Sequence, residues 1–460
     1  HVALDIVFLD NSKGGYTFPT NARLRKLVDT HLAPGRERDS ASVFIVPMSN
    51  IAADEKANLI VAARLFIDAK HHTFDIGLGA PNRPHAPMPS FIPQPSSSLS
   101  GEPVEPIRQR DALLLTNGLG GLLPNLEGYS LLISNDWQTP SPWCNVLANA
   151  QFGTLVSESG SMCTWWGNSS EYRLTPWSND AVLDRTGEAI YIRDEETGAS
   201  WSLTPQPKPD NCPYRVTHSI GESVFEHNSH GLEQRLQVFV DAVEPIKYLR
   251  VSLINTWPRE RRLTVTFATE WLLGNGFTTN RHLLFPEQDS DTDALLVRSG
   301  FARENSEQLA FVASGLPAHG VSCDGDEFFG RRRLWSTPAA LAAVGLSDRI
   351  EPSAQPCAVY QVHIEIPPGE TRDFHFVLGA AKNRQTATSL ISQVRDPTWV
   401  EERYQASQEN WDDLLNTWQV RTPDIAADAM INRWLLYQVI ASRLWGRIRS
   451  SRFCVSRPSV

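Results

Sequence analysis

Four stretches of this 460-residue chain alternate in character with a period of two, and that pattern constrains the fold more than any other feature. Leu232, Gln234, Leu236 and Val238 interleave with Glu233, Arg235 and Gln237. Leu249, Val251 and Leu253 interleave with Arg250 and Ser252. Leu263, Val265 and Phe267 interleave with Thr264 and Thr266, and Phe374, Phe376 and Leu378 with Asp373 and His375. Successive side chains of a strand point to opposite faces, so each stretch predicts a strand with one face inward. Many such strands joined by polar loops predict a mainly β protein of stacked antiparallel sheets over residues 111–385.

The flanks read differently. Val2–Asp10 predicts a buried strand, Asn21–His31 a short helix, Val43–Pro47 a second strand, and Ala52–Asp68 a helix. That order predicts a small right-handed βαβ piece over 1–79, with no glycine phosphate fingerprint and so no cofactor. Between Ala80 and Pro106 lie 8 of the 31 prolines, with many serines. Such a run predicts an extended linker, 80–110. After the sheets, Pro397 opens a helix to about Trp418, with Trp411, Leu414, Leu415 and Trp418 as its apolar stripe. Residues 386–421 thus form a helical linker. Thr422 then caps a new helix with Pro423 at its first position. From Trp434 to Ala441 that helix is apolar nearly all round, which predicts burial.

A net charge of −10 argues against nucleic acid as the main partner. No apolar run reaches the ~18 residues of a membrane helix, and no signal peptide is visible. Cysteines at 144, 163, 212, 323, 357 and 454 form no CxxC motif, as in a reduced cytoplasmic chain.

The densest chemistry lies in Thr164–Asp194. There Trp165, Trp166 and Trp177 sit among Asn168, Arg173, Asn179, Asp180, Glu188 and Arg193. Sugar C–H faces stack on aromatic rings, and sugar hydroxyls suit planar bidentate groups. Trp165 and Trp166 are the stacking candidates; Arg173, Asn179 and Asp180 are the hydroxyl-binding candidates, with Glu188 and Arg193 behind them. The competing reading makes Trp166 and Trp177 core residues under the loop, Arg173 a surface ion-pair partner of Glu171 or Asp180, and Asn168 with Ser169 a plain turn after Gly167.

The same string resembles the sandwich signature of glycoside hydrolase family 94, formerly glycosyltransferase family 36. Asn117–Gly121, Thr139–Trp143, Phe152–Gly160, Ser223–His227 and Glu270–Gly274 carry the likeness on either side. The family includes cellobiose and β-1,2-oligoglucan phosphorylases and the C-terminal part of cyclic β-1,2-glucan synthases, and this chain is more similar to the synthase branch. The resemblance implies a large galactose mutarotase-like supersandwich that lends loops to a sugar site. It implies a following (α/α)6 catalytic barrel, of which Asn432–Trp434 and Arg443–Trp445 resemble the first helix, within 422–460. Phe328–Arg333 resembles a family Phe-x-Gly-Arg segment that brings Arg331 toward the shared cleft; a solvated charge run is the alternative. Inverting phosphorolysis of β-linked glucan oligosaccharides is the implied reaction. Inorganic phosphate is the co-substrate, and no cofactor or metal takes part. A homodimer and attachment of the parent to the cytoplasmic face of the inner membrane are compatible assemblies. After Arg447 the likeness stops, and the family's Gly-Phe-Arg-Asp-Gln-like motif with its general-acid Asp does not occur. That implies a fragment from a shifted frame or truncated gene, inactive by itself. A non-catalytic carbohydrate-binding sandwich is the alternative function.

Other clusters carry less. His227 and His230 lack a third ligand on a helix, so spacing alone makes no metal site. Ser157-Glu158-Ser159 is not a nucleophile elbow. Gly118–Gly121 lacks the phosphate-loop Lys and reads as a sharp turn into the first sandwich strand.

Overall fold

The computed structural model describes residues 6–10, 43–47, 59, 88–93, 104–134, 139–275, 284–300, 307–330, 332–353 and 355–447. The chain divides into two compact units, His1–His85 and Ala86–Val460.

In the first unit β1 (Ile6–Asp10) and β2 (Val43–Pro47) pair in parallel, with Ile6 opposite Val43. Val7 and Phe8 are exposed, where the sequence predicted a buried strand. A two-stranded sheet is too small to enclose its own side chains. The helices expected at Asn21–His31 and Ala52–Asp68 lie outside the described residues, except Leu59, which is helical and exposed.

The second unit contains β3 (Gly120–Leu122), β4 (Gly128–Ile133), β5 (Cys144–Ala148), β6 (Phe152–Ser157), β7 (Met162–Trp166), β8 (Glu188–Asp194) and β9 (Ser200–Ser202). Then come β10 (Tyr214–Ser219), β11 (Glu222–Ser229), β12 (Leu232–Val240), β13 (Ile246–Asn255), β14 (Arg261–Glu270), β15 (Leu284–Gln288) and β16 (Leu295–Ser299). The last four are β17 (Leu309–Ser314), β18 (Gly320–Asp324), β19 (Pro356–Ile366) and β20 (Thr371–Ala381). A ten-stranded sheet runs β15-β16-β17-β20-β13-β12-β11-β10-β4-β3, a five-stranded sheet β18-β19-β14-β8-β9, and a three-stranded sheet β5-β6-β7. Every pairing in the three is antiparallel.

The inward residues of all three sheets meet in one core. Leu236, Val251 and Phe376 come from the first, Val265, Phe267 and Ile192 from the second, and Phe152, Met162 and Trp166 from the third. At the entrance to β3, Asn117 Oδ1 accepts from the backbone N–H of Leu119 and Gly120, both at 3.1 Å. Gly118 has φ 89, and a Cβ on Gly120 would lie 2.2 Å from Ser130 O. The glycines thus serve the turn and the close strand approach.

Helices cover the outer faces. Arg384–Val394, capped by Asn383, and Pro397–Asn416, capped by Asp396, lie on the ten-stranded sheet. There Ile391 and Val400 pack with Phe239, Tyr248 and Val377. Gly325–Phe329 and a 3-10 turn at Ala339–Ala342 cover the five-stranded sheet, with Phe328 and Leu341 against Tyr191 and Ala268. Of the proline-rich stretch, 88–93 is extended against this layer: Phe91 N donates to Ala342 O and Val344 N to Pro89 O, both at 2.9 Å.

A terminal helical stretch follows: α over Ile425–Ala429, π over Met430–Trp434, α over Leu435–Gln438, π over Val439–Leu444 and 3-10 over Trp445–Arg447. Its cap is Asp424, not Thr422: Asp424 Oδ1 accepts from Ala426 N at 2.8 Å, while Thr422 Oγ1 bonds the Asp424 backbone. The burial predicted for Trp434–Ala441 holds for one side. Tyr437 and Ala441 are buried with Trp411 and Leu415, but Leu435 is 48% and Val439 44% exposed, because the sandwich meets the helix from one direction. Trp418, placed in the stripe of the preceding helix, lies beyond its end at Asn416 and is exposed. Residues 448–460, where the sequence suggested a shifted frame, lie outside the described residues. Among the described residues no helix is long and apolar enough to cross a membrane.

Candidate functional site

The antiparallel order brings the start of β8, the end of β14, the start of β19 and the end of β18 to one rim of the five-stranded sheet. Backbone hydrogen bonds stitch the rim. Glu270 N donates to Gly187 O at 3.1 Å and Trp271 N to Pro356 O at 3.0 Å. Leu272 N donates to Leu174 O at 2.8 Å, and Arg173 and Gly274 exchange bonds of 3.1 and 2.9 Å. The turn 167–187, the segment Glu270–Gly274 and the region after β18 therefore share one end of the sandwich. Ser169 Oγ donates to Gly446 O at 2.8 Å, which brings the end of the terminal helix to the same turn.

The predicted residues divide sharply. Trp165 and Trp166 are 5% and 8% exposed and present no face to a ligand. The Trp165 indole lies over Gly153, where a Cβ would come within 2.5 Å of its ring. Trp166 belongs to the main core, edge-on to Tyr172 at 6.2 Å. A strand flanked by packed layers buries both of its faces, which overrules the stacking role predicted for these two rings. Trp177 is the exposed indole, at 46%. Asn168 Oδ1 accepts from Ser170 N at 2.8 Å and Glu171 N at 3.2 Å, which is turn chemistry.

Arg173 is half-buried, and its Nε is buried without a partner. Among the described residues no carboxylate lies within 4.0 Å of it, so the ion pair with Glu171 or Asp180 is not formed. Asn179 is exposed with φ 48. Asp180 Oδ1 accepts from Val182 N and Leu183 N, both at 3.0 Å; these bonds, Leu183 first, lower its pKa. Trp177, Val182 and Leu183 thus project from a compact turn.

Glu188 and Arg193 leave the list of ligand-facing groups. Glu188 is 1% exposed and paired with Lys247, whose side chain is fully buried. Arg193 is 1% exposed at the far end of β8, and points to the outer face. It donates to Leu341 O, Ala343 O and Val344 O, pairs with Glu195 at 2.8 Å and stacks on Phe91 at 4.2 Å. Arg331 lies outside the described residues. Its neighbour Arg333, with φ 52, reaches Asp326 at 3.5 Å.

Two charged groups that the sequence reading left without a role stand out. Glu270, half-buried at the rim, has its carboxyl pushed up to about 7 by burial, with Arg333 opposing. Lys247 shares strand parity with Leu249, Val251 and Leu253, and a charge at an inward parity was a readable signal. His227 and His230 both turn to Asp210, at 2.9 and 3.4 Å. Among the described residues no three His, Cys, Asp or Glu gather to hold a metal.

Comparison with known proteins adds the family. The model of the glycosyl hydrolase 94 supersandwich domain matches residues 127–397, more than half of the chain. The chain belongs to glycosyl hydrolase family 94. The model of the same superfamily's catalytic domain matches residues 410–456, past Arg447, where the sequence reading ended the likeness. The cyclic β-(1,2)-glucan synthase NdvB of Rhizobium meliloti is 31% identical over 72% of this chain and 12% of its own length. The N,N′-diacetylchitobiose phosphorylase of Vibrio proteolyticus is 26% identical over 68% of this chain and 40% of its own. A 3-O-β-D-glucopyranosyl-β-D-glucuronide phosphorylase of Paenibacillus borealis is 25% identical, with the same coverages. The chain therefore spans less than half of each relative, and it is a member of a carbohydrate-active, phosphorylase-like family.

Proposed function

We propose that this chain supplies the sandwich wall of a sugar cleft that acts on β-linked glucan oligosaccharides when joined to a complete (α/α)6 barrel. The observation that carries the reading is the convergence at the rim. The Ser169–Gly446 bond holds the end of the first barrel-like helix against the turn that bears Arg173, Trp177 and Asp180. A barrel continuing from that point would face this turn. Trp177 offers a ring for a sugar face, and Arg173 offers donors that no carboxylate occupies.

The reaction that suits such a cleft is inverting phosphorolysis. A carboxylic acid protonates the bridging oxygen while inorganic phosphate attacks the anomeric carbon from the opposite face. Phosphate is already anionic and needs no second carboxylate as base. No Arg-Asp-Gln occurs in these 460 residues; the family resemblance assigns the general acid to that motif, in the rest of a barrel. The described chain by itself is proposed to bind and not to cleave.

The test extends the chain through a complete family barrel and incubates it with β-1,2-linked oligoglucan and inorganic phosphate. Phosphate-dependent release of α-glucose 1-phosphate is expected. Hydrolysis without phosphate, or release of the β anomer, would contradict the scheme.

A further inference from the structure

The 165–174 excursion, whose tip at 167–173 leaves the core between the buried Trp166 and Leu174, is flanked by Thr164 in β7 and by Thr175, and one buried carboxylate holds both of these feet. Glu188 accepts from Thr164 Oγ1 at 2.6 Å and from Thr175 Oγ1 at 2.9 Å. Thr175 Oγ1 in turn accepts from Thr164 N at 2.8 Å. Lys247 Nζ donates to Thr164 Oγ1 at 2.8 Å and pairs with Glu188. Thr154 Oγ1 approaches Thr164 Oγ1 at 3.2 Å from β6. Thr154, Thr164, Thr175, Glu188 and Lys247 are each at most 1% exposed.

The strand parities explain the meeting. Lys247 lies on the inward face of the ten-stranded sheet with Leu249, Glu188 on the inward face of the five-stranded sheet with Ile190, and Thr164 on the inward face of the third with Met162 and Trp166. The cluster joins all three sheets at the rim from which the turn projects. Burial draws the Lys247 pKa down while Glu188 draws it up. Apolar residues hold sheets together without desolvating two charges, so packing alone does not account for the pair.

We infer that Glu188 and Lys247 are positioning residues that fix the two feet of the 165–174 excursion and thereby aim Arg173 and the Trp177–Asp184 turn. The inference takes its ligand from the proposed function, but its geometric content does not depend on it. A fixed carboxylate over both hydroxyls sets the spacing of the feet. Arg173, two residues before Thr175, is then held in its bridge to Gly274.

The test uses the full 460-residue chain. Glu188→Met combined with Lys247→Met exchanges the ion pair for apolar groups of similar length, a replacement that often leaves stability unchanged. If the pair positions the turn, amide exchange over 165–174 accelerates at least tenfold while β12 and β13 keep their protection. Glu188→Gln with Lys247→Met restores an acceptor over the two hydroxyls and returns the slow exchange. Unchanged exchange over 165–174 in the first variant overturns the inference, as does equal acceleration throughout the sheets. Should that variant fail to fold, Thr175→Val removes one hydroxyl with no charge left buried, and the same exchange comparison decides. Oligoglucan affinity is expected to fall about tenfold in parallel. A wild-type chain that binds no oligoglucan would sink the functional reading and leave the exchange result standing.

Discussion

Replacing Glu270 with Gln should raise stability at alkaline pH and leave it unchanged in acid. Glu270 closes β14 at the rim, half-buried, with its carboxyl raised from an ordinary 4.5 to about 7 by burial, against a smaller opposing pull from Arg333. A carboxyl raised in the folded state keeps its proton where the unfolded chain has released it. Its contribution to stability is fully present below about pH 4.5 and is lost as pH rises through 7. At ~1.4 kcal/mol for each pH unit of displacement, the loss approaches ~3 kcal/mol above neutrality, as an upper limit. Glu270→Gln keeps the shape and removes the titration. Urea unfolding at about pH 4 and pH 8, followed for both proteins, isolates the term, because every other titrating group cancels in the comparison. The variant should gain roughly 2–3 kcal/mol on wild type at the higher pH and nothing at the lower. Equal stabilities at both values would refute the protonated, desolvated carboxyl.

Other consequences follow from buried polar groups. Lys247→Met alone strands the Glu188 charge and should cost ~3–5 kcal/mol in denaturant unfolding, most of it recovered by adding Glu188→Met. His218, buried with its ring nitrogens Nδ1 on Ser223 Oγ and Nε2 on Trp143 O, is lowered to about 4 by desolvation. It therefore stabilises the fold fully above about 6.5, and that contribution is lost as pH falls through 4. Its ring resonances should titrate near 4 by NMR, and a midpoint above 6 would contradict the burial. Tyr437 Oη bonds Asn145 Oδ1 and Val146 O at 2.9 Å and accepts from Gly221 N at 3.3 Å. Tyr437→Phe should cost ~1–3 kcal/mol and loosen the terminal helix, read as faster exchange over 434–444.

The inward half of the fold was legible because period-two alternation is a direct imprint of the pleat. Leu236, Val251, Val265 and Phe376 all face the core as read. The outward half was not. Gln237, Thr264, Thr266 and His375 are polar yet buried, because helices and a loop layer cover both outer faces. His375 Nε2, for instance, meets Val394 O at 2.7 Å. Polar residues at outward positions cannot reveal whether solvent or a helix lies above them. At the site, the same limit applied to Trp165, Trp166 and Glu188. Their composition suits a sugar, but exposure depends on a third sheet whose docking leaves no local mark. Lys247 was the converse case, a charge at a core parity that called for a buried partner. Asp424 took the cap from Thr422 because its carboxylate, not the hydroxyl two residues earlier, reaches Ala426 N.

The most direct test of the central claim, that the rim turn is a glucan-facing wall, is calorimetric titration of β-1,2-linked oligoglucan into this chain and into its Trp177→Ala variant. Trp177 is exposed, so its removal should leave the melting transition unchanged. Saturable heat in the wild type, weakened at least tenfold in the variant, is the predicted result. No heat at millimolar oligoglucan, or equal binding by both proteins, would contradict it.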